Sequence, residues 1–237
     1  MDITTLERID ASGTSGSVTI DMTSTVGAVV VELGTGSTTY RAGLGDDVIT
    51  LASADGTDAL VMNDAAAGSI TINNFQSAGG GDVIDLSIGG IDAWTADGTN
   101  AVTLIDLDLE HNASSGIVVL LEVTGVIDFD DQTGDLDHNI LVLDSDIASE
   151  AALKTALAAS GAHEVTTVVY ANDEAFMVLW DDGANSYLSA VANTSGSSID
   201  NTTFTTANIA VETFVTFNGV SDATTLTNVD LGTTLIA

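Results

Sequence analysis

Ala42-Gly43-Leu44-Gly45-Asp46-Asp47-Val48-Ile49-Thr50 compresses a glycine turn, an aspartate and a short apolar strand into nine residues. The preceding stretch, Leu33-Gly34-Thr35-Gly36-Ser37-Thr38-Thr39-Tyr40-Arg41, keeps two glycines and the apolar position at Tyr40, but has Thr38 in place of the aspartate. After a two-residue insertion, Ser53-Ala54-Asp55-Gly56-Thr57-Asp58-Ala59-Leu60-Val61 regains the glycine, the aspartate and the leucine. Glycine admits the φ > 0 conformations of tight turns at low steric cost, and the apolar residue of each copy is expected to fill the interior. Strands this short bury nothing alone, so they must stack as rungs. Further rungs are expected at 16–22, 27–33, 38–40, 48–51, 59–62 and 69–73, about ten residues apart.

The spacing resembles the calcium-binding nonapeptide G-G-x-G-x-D-x-U-x of RTX proteins, where U is a large apolar residue. That resemblance implies a parallel β-roll in which each aspartate leaves its turn toward a neighbouring turn, while carbonyl oxygens complete an all-oxygen shell for Ca2+, a hard cation. The implied metal-site residues are Gly43, Gly45, Asp46, Asp47, Asp55, Gly56 and Asp58. Ile72-Asn73-Asn74-Phe75, then Gly79-Gly80-Gly81-Asp82-Val83-Ile84-Asp85-Leu86-Ser87, is similar to the segment that closes such a roll, and adds Gly80, Asp82 and Asp85. Upstream, Leu6 to Ser12 and Val18 to Met22 are similar to the Ser/Thr-rich strand arrays of bacterial surface-layer proteins and large secreted adhesins, which leave the cell by the one-step type I route.

Composition points the same way without any family. Thirty-five acidic residues against three basic ones, Arg8, Arg41 and Lys154, give a formal charge of −32. Basic-patch binding to nucleic acid or anionic membrane is excluded by that balance. Self-repulsion of this size opposes compaction, so the chain is expected to be firmer with bound cations than without. There is no cysteine, which rules out disulfides and thiolate metal sites. No basic-then-apolar leader opens the sequence, and no apolar run approaches the roughly 18 residues of a spanning helix. Asp2-Ile3-Thr4 reads like the middle of a strand array, compatible with a native start at Met1 or with a fragment of a longer chain.

From about Ile91 the acidic, β-rich character continues but the short repeat is lost. Longer strands are expected at 102–109, 116–126, 139–143, 165–170, 175–180 and 186–191, and the absence of proline leaves their ladders uninterrupted. One helix is expected from Ser149, a capping residue, through the Leu153/Leu157 pair to Gly161. The helix, the Asp181-Asp182-Gly183-Ala184-Asn185-Ser186-Tyr187 turn and Phe217 to Leu226 also resemble the C-terminal region of type I secreted surface proteins, with 230–237 as an uncleaved export signal.

Asp181, Asp182 and Asn185 around Gly183 suit a tight hairpin better than a metal site. The acidic stretch 128–137, with candidate ligands Asp128, Asp130 and Asp135, is either a calcium loop or a solvated acidic loop. It is not an EF-hand, because Thr133 stands at the sixth position and Asn139 at the twelfth. His111, His138 and His163 lack zinc spacing, no serine sits in G-x-S-x-G, and there is no phosphate-binding loop. The sequence gives no reason to expect an enzyme.

The expectation is therefore a mainly β protein. Residues 1–90 form a parallel β-roll or β-solenoid, and 91–237 a β-sandwich-like or wide-roll half with one short helix. The resemblance implies an extracellular, calcium-binding structural protein that self-assembles as a homo-oligomer, lattice or filament. The alternatives are an export and folding module of a secreted hydrolase, or a calcium-dependent adhesin module with cell-surface polysaccharide as partner.

Overall fold

The structure is a computed structural model that describes residues 6–52, 56–62, 68–77, 81–85, 103–104, 120–128, 140–166, 174–199 and 204–232. It is mainly β. Eight short strands come first: β1 (Arg8–Asp10), β2 (Val18–Asp21), β3 (Val30–Glu32), β4 (Thr38–Arg41), β5 (Asp47–Thr50), β6 (Ala59–Val61), β7 (Ile70–Asn73) and β8 (Val83–Asp85). They alternate between two sheets: β1-β3-β5-β7 and β2-β4-β6-β8 each pair in parallel, in that order.

Register explains the nine-residue spacing. Ile9, Val31, Ile49 and Ile72 fall in one row across the first sheet, and Ile20, Tyr40, Leu60 and Ile84 in one row across the second. The apolar positions of the three nonapeptide copies, Tyr40, Ile49 and Leu60, are fully buried in one cluster with Val31, Ile72 and Ile84. Successive copies thus feed opposite sheets, and side chains from both make the core between them.

The remaining elements are β9 (Thr103–Leu104), β10 (Leu120–Val123), β11 (Ile127–Asp128), β12 (Ile140–Asp146), α1 (Glu150–Leu157), β13 (Val165–Thr166), β14 (Glu174–Asp181), β15 (Ser186–Asn193) and β16 (Ile209–Asn218). The first sheet continues through them as β7-β16-β15-β14-β12-β10, with β9 also on β14, while β11 and β13 pair separately. The junction is the parallel pairing of β7 with β16, which sets Ile72 beside Phe217. No strand was expected at 209–218, and this is the one that carries the sheet from the first half into the second.

Residues 140–143 of β12 and 175–181 of β14 are buried on both faces, and so read as near-continuous apolar runs. Ile140, Val142, Ala175, Met177 and Leu179 join the core of the first eight strands. Leu141, Leu143, Phe176, Val178 and Trp180 face a second cluster with Leu153 and Leu157 of α1. The helix starts where expected, with the Ser149 hydroxyl accepting from Ala152 N. It ends at Leu157, short of Gly161, with Ala158 as the C-cap. Among the described residues no helix is long and apolar enough to cross a membrane.

Candidate functional site: the aspartates of the stacked turns

Glycines press the turns together. A Cβ at Gly45 would sit 2.5 Å from Ala28 N and Gly27 O, and one at Gly68 2.5 Å from Asp46 N and Gly45 O. Gly36 lies as tightly against Gly16, and Gly43 against Thr25 and Met22. The expectation that these glycines serve positive φ is corrected here: the described positive-φ glycines are Gly183, Gly196 and Gly219. Gly34, Gly36, Gly43, Gly45, Gly56 and Gly68 are needed because one turn's backbone lies where the next turn's side chain would be.

That close stacking brings each turn aspartate to the backbone of a neighbouring turn or strand. Asp47 is buried, and its Oδ1 accepts from Val29 N at 2.9 Å. Its Oδ2 takes the Tyr40 hydroxyl at 2.7 Å and Gly43 N at 3.4 Å. Asp58 Oδ1 accepts from Thr38 N at 2.7 Å, and Asp82 Oδ1 from Asp58 N at 3.1 Å, so Asp82, Asp58 and Thr38 form a ladder along the β4-β6-β8 side of the second sheet. Asp82 Oδ2 also takes Gln76 N at 2.9 Å. Asp46 is exposed and accepts from Ser69 N and Oγ through Oδ1. Thr38, the apparent defect in the first copy, occupies the register position of Asp58 and is buried like it.

Burial raises the pKa of Asp58 and Asp85, and pushes Asp82 up to about 6. For Asp82 the amide donors Gln76 and Asp58 oppose the shift, while the carboxylates of Asp58 and Asp230 reinforce it. Asp85 turns to the opposite face of β8, on the outer row with Arg41 and Val61. One of its oxygens, Oδ1, is buried with no hydrogen-bond partner. Asp10, Asp21 and Asp182 are held below the usual range, chiefly by the hydroxyls of Ser12, Thr23 and Tyr187.

A carboxyl whose pKa rises on folding adds stability that is complete below its unfolded value and is lost as pH rises through its folded value. For Asp82 that window runs from the ordinary 3.8 to about 6. In chelator, urea unfolding should therefore show stability rising as the pH falls from about 7.5 to about 5. Asp82→Asn should flatten that part of the profile. A profile unchanged by the substitution would mean that Asp82 does not titrate there.

Asp181, Asp182 and Asn185 make a hairpin turn. Gly183 has φ +81, Asp182 Oδ1 accepts from Ala184 N and Asn185 N, and its Oδ2 from the Tyr187 hydroxyl. Asp181 accepts from Gly183 N and Ala223 N, which ties the hairpin to the segment after β16. Sequence reasoning missed a contact between Ser145 Oγ and His163 Nε2, 2.7 Å apart, with His163 Nδ1 3.3 Å from Gly125 O. No local spacing signals it, since 18 residues separate the two. The imidazole is buried and Ser145 lies in β12, where its pairing with β14 shifts register between Val142 and Asp146, so the pair pins the chain after α1 to that irregular stretch of β12.

Asp55, Gly80, Asp130 and Asp135, and the side chain of Asp128, lie outside the described residues. Among the described residues no three carboxylates or histidines gather into a group that could hold a metal. Comparison with models of protein families, with curated proteins and with solved structures found no match to this chain.

Proposed function

We propose that this chain is an extracellular structural protein of the RTX-type surface-layer class. In this reading residues 1–90 are a parallel β-roll, and type I export delivers the chain to a calcium-rich exterior where it assembles into a lattice or filament. One observation carries the reading: the aspartate and apolar positions of the nonapeptide copies occupy equivalent, buried places in alternate sheets, with each aspartate reaching a neighbouring turn or strand.

The donor set fits calcium unevenly. Both oxygens of Asp47 already receive N–H or O–H donors, and such donors repel a cation, so Asp47 serves the fold. Asp46, exposed and engaged through Oδ1 alone, fits a cation better, whereas Asp85, for all its orphaned oxygen, already feels the positive charge of Arg41. Bound there, calcium would supply positive charge against a net −32, lowering the repulsion that opposes folding.

The test is to strip the protein with chelator and titrate calcium while following circular dichroism and light scattering together. Gains in both structure and particle size toward millimolar calcium are expected. Folding without assembly would favour the export-module or adhesin reading, and a chain equally folded and monomeric in chelator would overturn the calcium mechanism.

A further inference from the structure

The two ends of the stacked coils differ. At the β8 end the outer edge is covered, because Ile84 N donates to Asp230 O and Leu231 is buried beside it. At the β1/β2 end, among the described residues, β1 pairs only with β3 and β2 only with β4. The first-coil glycines agree: Gly13, Gly16 and Gly27 have nothing within 4 Å of a Cβ position, whereas Gly34, Gly36 and Gly45 are pressed by backbone. Leu6, Ile9, Ala11 and Ile20 are the partly buried fringe of the core at this open end.

The hydrogen bonds fix which groups face outward. Val30 N donates to Glu7 O and Ala11 N to Glu32 O. In a parallel ladder alternate residues turn to the partner, so Glu7, Ile9 and Ala11 address β3, and the main-chain groups of Arg8 and Asp10 face the free edge. By the same alternation Val18 and Met22, which donate to Ser37 O and Arg41 O, address β4, leaving those of Thr19 and Asp21 free.

We propose that this end docks a second copy of the same chain, β1 pairing antiparallel with β1 about a two-fold axis at Ile9. Antiparallel pairing centred there sets Arg8 opposite Asp10 of the second copy, and Asp10 opposite its Arg8. Both are positions whose free N–H and C=O can be exchanged as hydrogen-bonded pairs. Opposite charges meet in both pairs, in a chain with only three basic residues. Arg8 already lies 2.8 Å from Glu32, so it would bridge two carboxylates. The same centring at Ile20 sets Thr19 opposite Asp21 of the second copy. Because the edge is self-complementary, the product is a closed dimer and not an open polymer.

The interface rests on the assembling reading above but does not need calcium. The experiment is multi-angle light scattering over a concentration series, in chelator and in calcium, on wild type, Arg8→Asp, Asp10→Arg and a one-to-one mixture of the two variants. Each variant sets like charges face to face, and should weaken the dimer by roughly ten-fold or more. In the mixed dimer both pairs are again of opposite sign, so mixing should restore it. Circular dichroism checks that each variant is folded. A monomeric wild type in both conditions, a dimer indifferent to both substitutions, or a mixture no tighter than its parts would overturn the proposal. A calcium response from a protein that stays monomeric defeats this interface together with the assembling reading and leaves calcium binding standing, whereas a dimer without a calcium response defeats the calcium mechanism alone.

Discussion

Asp47→Ala should cost the protein about 4 kcal/mol of folding stability, roughly 10 °C in Tm, in chelator and in calcium alike. The substitution leaves Val29 N and the Tyr40 hydroxyl, and less severely Gly43 N, without the acceptor they now share. These groups lie in a region where Asp47, Tyr40 and Val29 are all buried, so water does not replace the carboxylate without opening the coil. Each stranded donor costs about 1–3 kcal/mol. Asp47→Asn keeps one acceptor for Val29 N while setting an amide nitrogen against the other donors, and should lose about 2 kcal/mol. Urea unfolding with and without calcium is the measurement. A loss that appears only with calcium present would make Asp47 a metal ligand, contrary to its role as a cap on its neighbours' backbone.

Gly45→Ala and Gly68→Ala should each destabilise by about 3 kcal/mol, because the added methyl meets backbone and not a flexible side chain. The atoms in the way, Ala28 N and Gly27 O for Gly45 and Asp46 N and Gly45 O for Gly68, belong to coils held in register by the Leu44 N to Thr25 O and Gly68 N to Leu44 O bonds. Relieving the clash means spreading those bonds. Gly27→Ala is the control: it has the same residue type and lies in the same glycine stack, yet has nothing within 4 Å, and should stay within about 0.5 kcal/mol of wild type. Equal effects at Gly27 and Gly45 would return the glycines to a purely conformational role.

Much of the first half was legible because its signals are local. A strand of three or four residues needs one inward apolar side chain, and Tyr40, Ile49, Leu60 and Ile84 could each be read from the residues beside them. The helix was legible for the same reason, through its cap and the Leu153/Leu157 pair. The strand at 209–218 was not. Its place depends on pairing with β7, and Asn218 and Asn73, which meet there, are 145 residues apart.

The sequence alone determined that the chain is mainly β, where six of the eight short strands of the first half lie, which of their apolar residues face inward, and a net charge of −32. Only the tertiary structure decided what the repeated glycines and aspartates do. A glycine two residues before an aspartate looks the same whether it serves a positive φ or a close approach. The distinction is made by backbone atoms of a neighbouring turn, and tertiary contacts likewise make Asp47, Asp58 and Asp82 acceptors for main-chain N–H groups remote in sequence or across the turn.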